Sequence, residues 1–363
     1  MLVYILAGFV AYLSLKNYER VEFNELTKEN KWLKIFYKNS AIFVLVVVFG
    51  FRDYSVGTDT ISYLDVFNRL GTQFTNYTYV YEKGFSFISI LVNKIFGNFT
   101  IFLLLLGLIL YWNIVTSFCE LSKSPSISML CYFGLGSFAQ SCNILRQYIA
   151  LSFCLIALCF LLKKNNIKRF IMYVFLGFLF HKTALVFLLV IPLKYIKFNI
   201  KTTIVAIVLF CLIIPLIPFI VKISDYVFKG VKYSAYLRNQ TTPFTLENIG
   251  TIVIMLSVIF VLVIFKTKAK ILKDNISEYD FFSNMFLMFV GVFLISMFTS
   301  ESLNRIALFF IPSVYFLIPI ALKNFDKPKS CVLTCLMVLV FIILLYYLLI
   351  IRGSYGIIPY TFI

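Results

Sequence analysis

Between Phe99 and Cys119 the chain reads "FTIFLLLLGLILYWNIVTSFC" without one charged residue. Coiled as a helix, such a stretch is roughly 30 Å long, the thickness of a bilayer's hydrocarbon core. Comparable runs recur along the 363 residues. The whole chain is 61% hydrophobic and only 13% charged, with a mean hydropathy of +0.94. A soluble domain carries about a quarter charged residues, so no aqueous fold could bury this surface. The chain is therefore an all-α, polytopic transmembrane helical bundle, read as a single integral membrane domain over 1–363.

Runs long enough to cross a membrane are expected near 1–15, 38–51, 98–118, 127–142, 145–162, 169–181, 183–193, 202–221, 249–265, 281–299, 305–322 and 330–350, about 11–12 spans. The first fifteen residues lack a basic start and a small-residue cleavage site, so they read as a retained span. The segment 16–38 alternates acids and bases and reads as a solvated or interfacial helix, or a simple connector. The stretch 85–96 is apolar but short, an expected interfacial or re-entrant helix. The eight cysteines sit in or beside apolar runs, with neither disulfide nor metal-ligand spacing, and read as small core residues.

The net charge of +17 follows the positive-inside rule and gives no reason to expect nucleic acid. If 169–193 is a hairpin folded at His181-Lys182, the inward loops hold 21 of the 33 Lys and Arg residues. Read as one span, it would turn the basic loops 266–280 and 323–329 outward. The hairpin is therefore preferred, with both termini and the loops 52–84 and 222–248 outside the cell.

Charges at the ends of membrane segments are costly and need a reason. Four clusters stand out, all on the outer side. In "GFRDYSVGTDTISY", Gly57 allows a turn that could bring Asp59 back toward Arg52, with Tyr63 following; a salt-bridged helix start is the simpler alternative. In "NILRQYIA", Asn143, Arg146 and Gln147 share one helical face if the helix is continuous. A guanidinium there offers a planar fork suited to phosphate, or snorkels to headgroups. In "FLFHKTALVFL", His181 is the single histidine, either a packing residue or, with Lys182 beside it, part of a polar cavity. In "SESLNRIALFFIP", Glu301, Asn304 and Arg305 repeat the same spacing; Glu301 is either a paired structural charge or an acid–base group. The loop 222–248 interleaves Lys222, Lys229, Lys232 and Arg238 with tyrosines, a composition suited to an anionic sugar ligand or to headgroups.

The sequence holds no Asp-x-Asp pair, no phosphate-binding glycine loop and no metal-ligand cluster, so neither metal nor cofactor is expected. Internal repeats and midplane helix breaks, which a transporter would show, are not evident.

The ordered set "FRDYSVGTDTISYLDVF", "YEKGFSFISILV", "NILRQYIALSF", "FLFHKTALVFLLVIPL", "LNRIALFFIP" and "IIPY" resembles the EpsG family of Wzy-like polymerases of bacterial capsule, exopolysaccharide and O-antigen repeat units. The resemblance runs from about residue 50 to 360. It implies a multi-pass protein of the bacterial cytoplasmic membrane with a GT-C-like helical fold. Donor and acceptor would be undecaprenyl-pyrophosphate-linked oligosaccharides, and a chain-length regulator and a flippase would be its partners. On that reading His181 or Glu301 activates the acceptor hydroxyl. Arg146 and Arg305 meet the pyrophosphate, while Arg52, Asp59, Tyr63, Asn143, Gln147, Lys182 and Asn304 line the substrate. A lipid-linked oligosaccharide flippase and an O-antigen ligase-type transferase are the competing classes.

The charge partition predicts that a cysteine replacing Gly230 in a cysteine-free variant reacts with an impermeant reagent on whole cells. Reaction only after permeabilisation would reject the hairpin topology.

Overall fold

The computed structural model describes residues 1–23, 28–72, 81–216, 246–268, 276–297 and 301–363. Every regular element among them is helical, and the only strand-like contact is an isolated antiparallel bridge between Arg52 and Phe362. The chain forms two compact units, residues 1–185 with 318–363, and residues 186–317.

The first unit begins with α1 (Leu2–Phe23), packed along α2 (Lys28–Gly50). The alternating charges of 16–38 are thus the ends of two helices, laced by Lys34 to Glu22 and Lys16 to Glu19. After the loop 51–59 come α3 (Thr60–Thr72), α4 (Lys83–Phe96) and the long apolar α5 (Phe99–Leu121). The stretch expected as one span at 127–142 is two helices, α6 (Pro125–Gly134) and α7 (Ser137–Asn143). Gly136, at φ +73°, turns the chain between them. A second break at Ile144 precedes α8 (Leu145–Leu162), which packs against α9 (Ile167–Phe178). The core joins α1, α5, α6 and α7 through stacked aromatics: Phe133 on Phe138 at 4.9 Å, Phe138 on Tyr111 at 5.7 Å. Their polar ends are satisfied, Tyr4 donating to the Phe133 carbonyl at 2.9 Å and Tyr111 sharing a proton with Ser141 at 3.1 Å.

Beyond α9 the helix stops, and a 3-10 stretch (Lys182–Leu189) runs into one α-turn, Val190–Leu193. The second unit contains α10 (Ile200–Ile213), α11 (Leu246–Lys268), α12 (Ile276–Met297) and α13 (Glu301–Ala307). Its polar lock is Lys266, which donates to Asp280 and to the Phe198 carbonyl. Asn284 adds a bond to the Ile196 carbonyl at 2.7 Å. The loop 222–248, expected outside the cell, lies almost wholly outside the described residues.

The chain returns to the first unit through α14 (Pro312–Lys323) and α15 (Lys327–Tyr346), which a π-helical turn extends to Ile351. Among the described residues, five helical stretches are long and apolar enough to cross a bilayer: Asn30–Gly50, Phe99–Leu121, Leu145–Leu162, Ile276–Met297 and Lys327–Ile351. Of the other runs read as spans in the sequence, 183–193 and 305–322 hold shorter apolar helices, Lys182–Leu193 and Pro312–Lys323. The shortening has local causes, among them Gly136 and the interruption at 308–311 ahead of Pro312.

Residues 353–363 form a strap across the loop 51–59. Main-chain bonds run from Asp53 to Thr361 (2.9 Å), Gly57 to Gly356 (2.8 Å) and Ile363 to Phe51 (3.0 Å). Gly57 sits at φ +95°, and a Cβ there would meet Thr60 Oγ1 at 2.8 Å, so the turn requires glycine. Asn143 ties both segments to α7. Its Oδ1 accepts from Thr58 Oγ1 (2.9 Å) and the Asp59 amide (3.4 Å); its Nδ2 donates to the carbonyls of Tyr355 (2.8 Å) and Ala139 (3.3 Å).

Losing these bonds orphans buried groups, each worth about 1–3 kcal/mol. Asn143→Ala should therefore lower stability by at least that amount, and Asn143→Asp, which cannot donate to Tyr355, should lower it too. Unchanged thermal unfolding midpoints in detergent for both variants would remove Asn143 from this role.

Candidate active site

Arg146 opens α8, and its position follows from the break at Ile144, which separates it from Asn143. The two residues therefore do not share one continuous helical face. Asn143 serves the strap, whereas Arg146 turns to Glu82, whose Oε2 accepts a short bond from Nη1. The guanidinium lies 5.0 Å from the Tyr81 ring centre and 5.9 Å from that of Phe85, and it also meets the Tyr63 phenol. Its Nε is buried with no hydrogen-bond partner.

Glu82 directly precedes α4, in extended backbone, the position where an acid usually caps the helix. It makes no such cap. Its carboxylate turns away from the helix, with Oε1 3.2 Å from His181 Nδ1. That contact is of ion-pair length but out of line for a hydrogen bond. His181 occupies the interruption after α9, its amide bonded to the Gly177 carbonyl and its carbonyl accepting from Ala184. Gly84 brings the two elements together. Its amide donates to the Leu179 carbonyl at 2.8 Å, and a Cβ on it would stand 2.8 Å from that same oxygen. Only glycine lets the start of α4 come this close to the end of α9.

The side chains of Glu82, His181 and Arg146 are 8%, 16% and 25% exposed, sheltered yet reachable. Burial acts to raise the Glu82 carboxyl, but the facing imidazole and the Arg146 charge outweigh it and hold the group down at about 2. Burial pushes the Tyr63 phenol up, opposed by the Arg146 charge. The cluster thus sets a carboxylate, a guanidinium and an imidazole side by side.

The other candidates lie elsewhere. Arg52 is fully buried and donates to the carbonyls of Phe49 (2.5 Å) and Cys142 (3.5 Å), with its guanidinium 4.1 Å from the Phe49 ring centre. It does not pair with Asp59, whose carboxylate accepts from Thr58. Gln147 is buried in the first turn of α8, and Lys182 is exposed beside His181. Asn304 and Arg305 sit on the seven-residue α13 in the second unit; the Glu301 side chain lies outside the described residues. Sequence reasoning missed Glu82. The signal available was "YEKG", an acid and a glycine at the start of a helix of otherwise apolar character.

A sheltered arginine–carboxylate–histidine cluster thus stands at the start of a helix long and apolar enough to cross a membrane. The chain belongs to the EpsG family, a Wzy-like polymerase family, whose model matches residues 35–362. No curated protein and no solved structure matches it.

A carboxyl depressed by its partners stabilises the fold above its unfolded value and loses that contribution as pH falls through its folded value. The stability advantage of the wild type over Glu82→Gln should be full at neutral pH and shrink from pH 4.5 down to about 2. A gap in unfolding temperature that stays constant over that range would show that Glu82 carries no such interaction.

Proposed function

We propose that this protein is a glycosyltransferase that polymerises undecaprenyl-pyrophosphate-linked oligosaccharide repeat units into a surface polysaccharide. It would act at the outer face of the bacterial cytoplasmic membrane. The observation that carries this reading is the meeting of Arg146, Glu82 and His181 in a chain of a Wzy-like polymerase family. His181 takes the proton from the acceptor hydroxyl. The oxygen then attacks the anomeric carbon of the donor, and the bond from that carbon to the pyrophosphate oxygen breaks. The electron pair leaves with undecaprenyl pyrophosphate, whose charge the Arg146 guanidinium receives. Tyr81 supplies a ring next to that charge, suited to a sugar. The lipid tail remains in the bilayer. Pyrophosphate is already a good leaving group, so the base accounts for a factor on the order of 10²–10⁴.

Among the described residues, no three His, Cys, Asp or Glu side chains gather as metal ligands. Glu301 and Arg305 keep their sequence-based roles as an alternative base and a second pyrophosphate ligand.

The test is purified protein with a defined lipid-linked repeat unit, scored for polymer ladders. Arg146→Lys should lose most of the rate, because lysine lacks the bidentate fork. His181→Ala should lose a factor of about 10²–10⁴, and EDTA should change nothing. Wild-type rates from both variants would reject the assignment. Single transfers without a ladder would indicate a ligase, and lipid transport without transfer a flippase.

A further inference from the structure

Glu82 is unusual for what it leaves open on each partner. Arg146 meets it through Nη1, while the buried Nε keeps an unmet donor. His181 meets it through Nδ1, so the far ring nitrogen, Nε2, is not the one committed to the acid. The charged group recorded against the imidazole is the Glu82 carboxylate from the start of α4. Arg146 from α8 meets the other oxygen of that carboxylate, Tyr63 from α3 meets Arg146 and feels the Asp59 charge, and Lys182 is the next residue along the chain.

A neutral imidazole carries its proton on one nitrogen or the other, and the hydrogen bond made by one nitrogen decides the state of its neighbour. An ionised carboxylate accepts hydrogen bonds and cannot donate them. It therefore favours the form with the proton on Nδ1, and that form leaves the lone pair on Nε2. Only a lone pair can take a proton from a hydroxyl. The 3.2 Å contact is out of line as it stands. Such bonds commonly tighten when substrate arrives.

We propose that Glu82 is the positioning residue of this site. It locks His181 in the Nδ1–H form with Nε2 facing the reactants, and it fixes Arg146 by one nitrogen so that Nε is kept for an oxygen of the anionic ligand. Glu82 itself touches neither the reacting carbon nor the acceptor hydroxyl. This role rests on the reading of His181 as the base, but its first readout needs no turnover.

His181 is the only histidine in the chain, so protein labelled with ¹⁵N-histidine carries one imidazole. The two ring-nitrogen shifts of the full-length protein in nanodiscs report its tautomer directly. The wild-type neutral ring should be mainly Nδ1–H. Glu82→Ala should move the tautomer ratio about tenfold toward Nε2–H, since a hydrogen bond to a charged group is worth at least one decade. Glu82→Asp should restore part of both the Nδ1–H population and the polymerisation rate. A wild-type ring that is mainly Nε2–H overturns the proposal, and so does a ratio unchanged in Glu82→Ala. If the alanine variant does not fold, the wild-type tautomer decides alone. A ring that is mainly Nδ1–H in a protein that makes no polymer leaves the positioning intact and removes the proposed function instead.

Discussion

A single carboxylate away from bulk water governs the candidate site. An ionised acid held in low-dielectric surroundings costs several kcal/mol unless it is paired and hydrogen-bonded. Glu82 meets that condition through Arg146 and His181, which arrive from different helices. For both to reach it, α8 must begin afresh at Leu145, α9 must end before His181, and α4 must start against the Leu179 carbonyl. Each of these looks like an irregularity taken alone. Together they are what a shared acid requires, because a misplacement in any one of them would strand a charge.

Arg52 and Arg146 of the first unit, one fully buried and one partly exposed, show how partner choice separates architecture from chemistry. Arg52 is surrounded by backbone carbonyls and a ring face, neutral acceptors that it does not exchange for anything. Arg146 is held instead by an acid, and both guanidiniums keep a buried Nε without a hydrogen-bond partner. A guanidinium bound to carbonyls serves the fold. One bound to a carboxylate is already engaged in the kind of contact that a phosphate oxygen can join.

Much of this was visible in the sequence, and the exceptions have physical reasons. The helical membrane class followed from the apolar runs, since a polar backbone in lipid has few other solutions. Arg146 and His181 stood out because a charge or an imidazole in such surroundings is expensive. Glu82 did not, because it follows a polar stretch where acids are ordinary; its partner Arg146 lies 64 positions along the chain. The helical spacing of Asn143, Arg146 and Gln147 suggested one shared face, but that spacing assumes an unbroken helix and the backbone turns at Ile144. The expected continuous span at 127–142 is divided for the same reason: hydropathy records composition, whereas a break such as Gly136 depends on backbone angles that composition does not encode.

The strap joins residues from opposite ends of the fold's construction: the Tyr360 hydroxyl bonds the Val48 carbonyl across 312 positions. A chain threaded into the membrane from its N-terminus places Arg52, the loop amides and Asn143 long before their last partners exist. Until residues beyond 353 arrive, the Tyr355 end of Asn143 and the amides of Asp53 and Gly57 have no mates. An interrupted translation product therefore carries exposed, unpaired polar groups on the face that the finished protein seals. Synthesis order thus makes this seam the last part of the first unit to close.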